Sequence, residues 1–118
     1  MNNEPIPYYY DTIDRNAIIV SKKKLFFDWL NSIYPKEEQY SSLVDNNIYL
    51  IREMEDYEAI LKWLKKNHDK IFMNELNDWY TDEDRWPENR TYKMFTEWFD
   101  IEICSTVMDL EDFPVTKE

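Results

Sequence analysis

The spacing of apolar side chains divides the chain into segments with a period of two and segments with a period of three to four. Residues 16–20 (NAIIV) and 47–52 (NIYLIR) are short runs rich in β-branched and aromatic side chains, which are typical of strands. In residues 101–108 (IEICSTVM) apolar and polar side chains alternate, which predicts a strand with one buried face. We therefore expect a sheet of three strands.

Helical spacing appears between and after these strands. A first helix should begin behind Ser21, a potential N-cap, and should end at Pro35. A short helix is predicted over about residues 91–99. Apolar residues inside the first helix recur in steps of three and four: Leu25, Phe26, Trp29, Leu30 and Ile33.

The longest periodic segment runs from Tyr57 to Trp79. Its single apolar stripe predicts either one long helix or two helices kinked around Asn67–Asp69. Residues 81–90, which combine acidic side chains with Trp-Pro and Asn, predict a structured loop. We call this segment the Trp86 loop.

The order of elements predicts an α/β or α+β domain, with a small three-stranded sheet packed with three to four helices. The first two strands are joined through a helix, so we expect them to be parallel with a right-handed crossover. The direction of the third strand stays open. A length of 118 residues corresponds to a single domain, with loose ends at about 1–7 and 114–118.

Glycine is missing from the chain, which excludes glycine-rich phosphate loops and dinucleotide-binding fingerprints. Turns that need a positive φ must therefore use Asn or Asp, for example Asn89. The one cysteine, Cys104, excludes an internal disulfide, and the chain has no Cys/His cluster for zinc. We expect no bound cofactor or metal.

The net charge is −11, and residues 71–118 alone carry −9. Such a chain repels phosphate backbones and anionic lipid surfaces, so we expect neither nucleic acid nor membrane as a partner. A basic protein is an electrostatically possible partner, and acidity that only keeps the protein soluble is the alternative. The N-terminus has no signal-peptide pattern, and no apolar run approaches the length of a membrane span, which predicts a cytoplasmic protein.

The sequence contains the phrases DRNAIIV (14–20), FFDWLNS (26–32), IYLI (48–51), WYTDE (79–83), WPENRT (86–91) and MFTEWFDIEI (94–103). Together these phrases resemble a family of small, acidic bacterial proteins for which no function is assigned. The resemblance covers about residues 14–110 and implies a self-contained cytoplasmic domain, without implying any catalytic residue. Size, charge and element order are also similar to those of barstar, a small acidic inhibitor.

The Trp86 loop is the first candidate site. Trp86 lies off every helical stripe, so it either plugs the core or is exposed as an anchor. Trp and Arg side chains dominate the binding energy of many protein interfaces. Asp82, Asp84, Arg85, Trp86 and Arg90 are therefore candidates for binding another protein, and an ion-pair network that fixes the loop is the alternative.

The segment Ser21, Lys22, Lys23, Lys24 is a candidate anion site because it lies at a predicted helix N-terminus. Three solvated lysines that balance an acidic chain are the alternative.

We favour a non-enzymatic, acidic protein-binding module, similar in role to an adaptor or inhibitor, because no catalytic set is recognisable. The alternative is a small enzyme or ligand-binding domain that uses Asp82, Asp84 or His68, or the anion site. His68 is the only histidine and falls on an apolar stripe, so a packed histidine competes with a general base.

Overall fold

The computed structural model describes residues 11–34, 40 and 45–118. Within these ranges the chain forms five strands, three α-helices and one 3-10 turn (Glu83–Arg85), which confirms a mixed α and β fold. The expected loose end at 1–7 lies outside the described residues, and residues 114–118 are exposed and form no helix or strand. The elements in chain order are β1 (Asp11–Ile13), β2 (Arg15–Lys22), α1 (Lys24–Ile33), β3 (Asn47–Arg52), α2 (Tyr57–Asn77), α3 (Tyr92–Trp98), β4 (Phe99–Cys104) and β5 (Val107–Asp109).

The main sheet has the strand order β3-β2-β4, and both neighbours of β2 run antiparallel to it. The predicted parallel pairing of the first two strands is therefore wrong. Asn47, the first residue of β3, pairs with Val20 near the end of β2, so the connection through α1 returns the chain to the same end of the sheet. Apolar spacing predicts the strand and the helix, but it does not determine in which direction the next strand pairs with the first.

The predicted strand over residues 101–108 is two strands that belong to different sheets. β4 pairs with β2, whereas β5 pairs with β1, a three-residue strand that the apolar pattern did not reveal. Ser105 lies at the break, and its carbonyl oxygen accepts a hydrogen bond from Asn16 Nδ2 at 2.9 Å. The buried Asn16 side chain also accepts a hydrogen bond from the backbone N–H of Met54 at 2.8 Å. It therefore connects the break between β4 and β5 to the segment that follows β3.

Helix α1 ends at Ile33, before Pro35, as predicted. Its N-cap is Lys23 and not Ser21, because β2 continues through Ser21 to Lys22 and delays the helix start. Helix α2 is continuous, which decides between the one-helix and two-helix alternatives. In the part of the chain described, no helix is long and apolar enough to cross a membrane.

All three helices pack on one face of the main sheet, which we call the inner face. Inward residues of β2, β3 and β4 join the buried residues of the helices in one hydrophobic cluster. The cluster consists of Ile18, Val20, Phe26, Phe27, Leu30, Ile51, Ile60, Leu64, Ile71, Phe72, Leu76, Phe95, Trp98 and Phe99.

The other face of the main sheet carries the alternate residues of the same strands. Because directly paired residues of antiparallel strands share a face, the register places Ile19 beside Ile48 and Glu102, and Ala17 beside Leu50. We call this surface the outer sheet face, and it consists of Arg15, Ala17, Ile19, Ser21, Ile48, Leu50, Arg52, Asp100, Glu102 and Cys104.

Candidate functional site

Trp86 packs partly buried against the hydrophobic cluster. Its indole Nε1–H donates to the carbonyl oxygen of Tyr80 at 2.7 Å. Trp29 ties the same loop to α1, because its Nε1–H donates to the carbonyl oxygen of Arg85 at 2.8 Å. Of the two alternatives for Trp86, these contacts support the core plug.

The two arginines of the Trp86 loop have different surroundings. Arg90 contacts both carboxylate oxygens of Asp69, at 2.7 and 3.2 Å, and donates to the carbonyl oxygen of Pro87 at 2.9 Å. Its guanidinium also lies 6.0 Å from the centre of the Trp86 ring. Arg85 is exposed and forms no ion pair with a described residue. Arg90 therefore fixes the loop, and Arg85 is left at the surface.

Asp82 and Asp84 both lie exposed at the start of the 3-10 turn. The Asp82 carboxylate accepts a hydrogen bond from the backbone N–H of Asp84 at 3.0 Å, which makes it the cap of that turn. Among the residues with a described position, no three His, Cys, Asp or Glu side chains come together as a metal site would require.

His68 is half-buried and packs against the rings of Tyr92 and Phe95. Its Nδ1 lies 3.0 Å from the carbonyl oxygen of Lys65, and its Nε2 lies 3.0 Å from that of Arg90. Both ring nitrogens therefore face backbone oxygens, which suits a packed histidine that joins α2 to the Trp86 loop.

In the structure, each of the three lysines of the predicted anion site lies near a different carboxylate. Lys22 contacts Glu75 on α2, Lys23 lies 3.9 Å from Asp100 on β4, and Lys24 contacts Asp28 on α1. Glu75 is buried, whereas Asp28 and Asp100 are exposed, and each ammonium group already has a local counter-charge. The anion site at these residues and Ser21 stays a prediction.

Lys22 and Glu75 form a buried ion pair that the sequence analysis did not anticipate. The Glu75 side chain is 0% exposed and that of Lys22 is 4% exposed, and Lys22 Nζ lies 3.2 Å from Glu75 Oε1. The same ammonium group lies 5.6 Å from the centre of the Phe26 ring and 6.0 Å from that of Trp79. Aromatic faces attract a cation in this position, which offsets part of its lost hydration.

The second carboxylate oxygen of Glu75 is bound by polar groups of β3. Asn47 Nδ2 donates to Glu75 Oε2 at 2.7 Å, and the Tyr49 hydroxyl donates to the same oxygen. Tyr49 in turn accepts from Asn74 Nδ2 at 2.8 Å. Burial, followed by the hydrogen bond to the Glu75 carboxylate, raises the pKa of Tyr49 above its ordinary range, so its hydroxyl keeps its proton and donates.

Two sequence signals for the ion pair were available. Lys22 continues the inward-facing series of Ile18 and Val20 at every second residue of β2. Glu75 follows Ile71 by four residues, which places it on the apolar stripe of α2. A charged residue on an apolar stripe requires a partner, and here the two charges are each other's partner across the core.

The outer sheet face is the candidate binding surface. Ile48 is 61% exposed and Leu50 is 45% exposed, although both belong to a strand in the main sheet. Asp100 and Glu102 lie on the same face of β4 and are also exposed. The surface therefore combines apolar side chains on one edge strand with carboxylates on the other.

Comparisons with protein-family models, with curated proteins and with solved structures gave no match to this chain. The resemblance to a bacterial family therefore stays a prediction, and the likeness to barstar contributes nothing to the assignment of function.

Proposed function

We propose that this protein is a non-enzymatic protein-binding module and that its binding surface is the outer sheet face. The exposure of Ile48 and Leu50 on a face opposite to all three helices is the observation that carries the proposal. An antiparallel sheet with one face in water ordinarily has polar side chains on that face. Large apolar side chains in this position are typical of a surface that a partner covers.

The carboxylates on the β4 side of the outer sheet face and the net charge of −11 support a basic partner. Asp100 and Glu102 border the apolar residues on β4. A cavity of about 510 Å³ opens beside Leu50, and its lining combines Asp14 and Asp109 with Arg15 and Lys117. A partner with an apolar centre and a basic rim is complementary to this arrangement, and basic groups accelerate its association with an acidic chain.

The residues named for an enzyme or ligand-binding domain give that alternative less support. Asp82 caps a turn, Asp84 is exposed, and the ring nitrogens of His68 face backbone carbonyl oxygens. These groups occupy separate places, and none of these contacts pairs a nucleophile with a base. The protein-binding function is therefore the better supported of the two.

A comparison of three immobilised proteins tests the proposal: wild type, Ile48→Ser/Leu50→Ser, and Leu25→Ser. Leu25 is a matched control because it is 43% exposed but lies on α1, away from the outer sheet face. Proteins retained from a lysate of the source cells are quantified by mass spectrometry, at low and at high salt. Each variant is first shown to unfold cooperatively in urea.

We expect a basic protein that wild type and Leu25→Ser retain and that Ile48→Ser/Leu50→Ser loses. Titration of that purified protein should show binding weakened by about tenfold or more in the double variant, and weaker binding of wild type at high salt. The proposal is wrong if all three baits retain the same proteins, or if loss of Leu25 has the same effect as loss of Ile48 and Leu50.

A further inference from the structure

A second surface lies where the chain passes from β3 into α2, and Arg52 connects it to the end of the outer sheet face. A groove with a volume of about 710 Å³ opens there. Its lining includes Arg52 from β3 and Lys62, Lys66 and Lys70 from α2. A volume of this size is in the range of sites that bind small molecules or peptide segments.

The concentration of positive charge in this groove is unexpected in a chain with a net charge of −11. Lys62, Lys66 and Lys70 are exposed, and they form no ion pair within the described part of the chain. By contrast, Lys22, Lys23 and Lys24 each have a carboxylate nearby. The groove lysines therefore have their charge available to a ligand.

The groove also has an apolar floor. Trp63 and Met54 are half-buried, line the groove and pack against the hydrophobic cluster. Asn67 also lines the groove, and its Nδ2 donates to the carbonyl oxygen of Trp63 at 2.9 Å. This hydrogen bond holds the Asn67 side chain against α2. A flat, partly exposed indole beside unpaired lysines is a surface that apolar and acidic side chains can contact together.

The lysine spacing restricts the shape of the ligand. Successive groove lysines are four residues apart on α2, which corresponds to about 6 Å along the helix axis. Alternate side chains of an extended peptide are about 6.6 Å apart on one face. A peptide with carboxylates at alternate positions therefore matches the lysine series along its length.

Acidic residues also line the groove and argue against a uniform polyanion as its ligand. Glu53, Glu55 and Asp56 belong to the lining, and they would repel a phosphate backbone that filled the groove. A peptide can avoid these carboxylates because its charged side chains project to one side and its neutral ones to the other. We propose that the groove binds an extended acidic segment of a partner protein, with carboxylates at alternate positions facing Lys62, Lys66 and Lys70.

A fluorescein-labelled peptide of alternating glutamate and threonine is the probe, and its fluorescence anisotropy reports binding at low salt. The groove variant is Lys62→Glu/Lys66→Glu/Lys70→Glu. The control variant, Lys65→Glu/Lys93→Glu/Lys117→Glu, changes the net charge equally but alters lysines that do not line the groove. A glutamine version of the groove variant removes the positive charges without adding negative ones.

We expect saturable binding to wild type and to the folded control variant, and binding weaker by about tenfold or more in both groove variants. Equal weakening of groove and control variants would show a general charge effect and overturn the proposal, as would the lack of saturable binding to wild type. A single-stranded oligonucleotide that binds more tightly than the peptide would also overturn it. This test does not depend on the outer sheet face, so Ile48→Ser/Leu50→Ser should bind the peptide like wild type.

Discussion

Glu75 is a single buried carboxylate that holds three elements together. Its oxygens contact Lys22 from the end of β2 and both Asn47 and Tyr49 from β3, while the residue itself belongs to α2. Burying two opposite charges costs hydration, which mutual attraction repays only when geometry and further hydrogen bonds are favourable. We therefore expect the ion pair to contribute more to selecting this packing of α2 on the sheet than to net stability.

Loss of either charge should destabilise the fold strongly. Lys22→Met leaves Glu75 buried and charged without its counter-ion, so we expect a loss of about 3 kcal/mol in the free energy of unfolding. Glu75→Gln should also be destabilising, and the double variant should be more stable than either single variant. Urea denaturation of the four proteins measures this coupling, and simple addition of the two single effects would contradict it.

Tyr49 predicts a specific dependence of stability on alkaline pH. The pKa of Tyr49 in the folded protein lies above its ordinary value of 10.0, so above that pH the unfolded chain has released a proton that the folded chain still holds. The free energy of unfolding should therefore fall as pH rises through this range. Near neutral pH, the free energy of unfolding of Tyr49→Phe should be about 1.5 kcal/mol lower than that of wild type. Because this variant lacks the titrating group, the difference should become smaller above about pH 10.

The measurement is urea denaturation of wild type and Tyr49→Phe over a series of pH values. Tyr57→Phe serves as the control because the Tyr57 side chain is 60% exposed, and it should follow wild type throughout. A difference between Tyr49→Phe and wild type that stays constant across the series would contradict the role assigned to the buried hydroxyl.

At the scale of elements, the Trp86 loop is ordered by side chains that point inward. Indole N–H groups from within the loop and from α1 bind its backbone, and Arg90 bridges it to Asp69 on α2. Asn89 has a φ of 53°, a left-handed conformation in which Asn replaces the glycine that this chain lacks. The loop is thus a part of the framework, which explains its many aromatic and charged residues.

The two arginines of this loop should differ sharply when replaced. Arg90→Ala removes a two-point contact with Asp69 and a hydrogen bond to Pro87, so we expect a loss of about 2 kcal/mol in the free energy of unfolding and faster amide exchange in the loop. Arg85→Ala is the matched control, and it should change stability by less than about 0.5 kcal/mol because its side chain is exposed.

Urea denaturation and hydrogen exchange measured by mass spectrometry report both effects. Equal losses for the two arginines would contradict this assignment and would favour a shared ion-pair network at the loop surface.

At the scale of the whole molecule, the carboxylates of β4 and the lysines of α2 lie on different surfaces. The outer sheet face combines Ile48 and Leu50 with carboxylates of β4, whereas the groove on α2 presents three lysines along one side. The proposed partners are correspondingly different, one with a basic rim and one with an acidic extended segment. A protein that binds both would act as an adaptor between them.

The apolar pattern determined the local elements well. It predicted the bounds of β3, the end of α1 before Pro35, a continuous periodic segment at α2 and alternating faces over residues 101–104. Side-chain periodicity reports which face of an element is buried, and that information is local to each segment. The mixed α and β class followed from the order of those segments.

Tertiary structure alone decided how the elements meet. Strand direction, the division of the last predicted strand and the strand β1 depend on backbone hydrogen bonds between distant segments, which leave no periodic trace in the sequence. The same is true of sites. In the sequence Arg85 cannot be told from Arg90, nor Lys22 from Lys23 and Lys24. Only the structure shows which of these charges is buried, which is paired and which faces water. The reason is that burial and pairing are properties of the assembled fold.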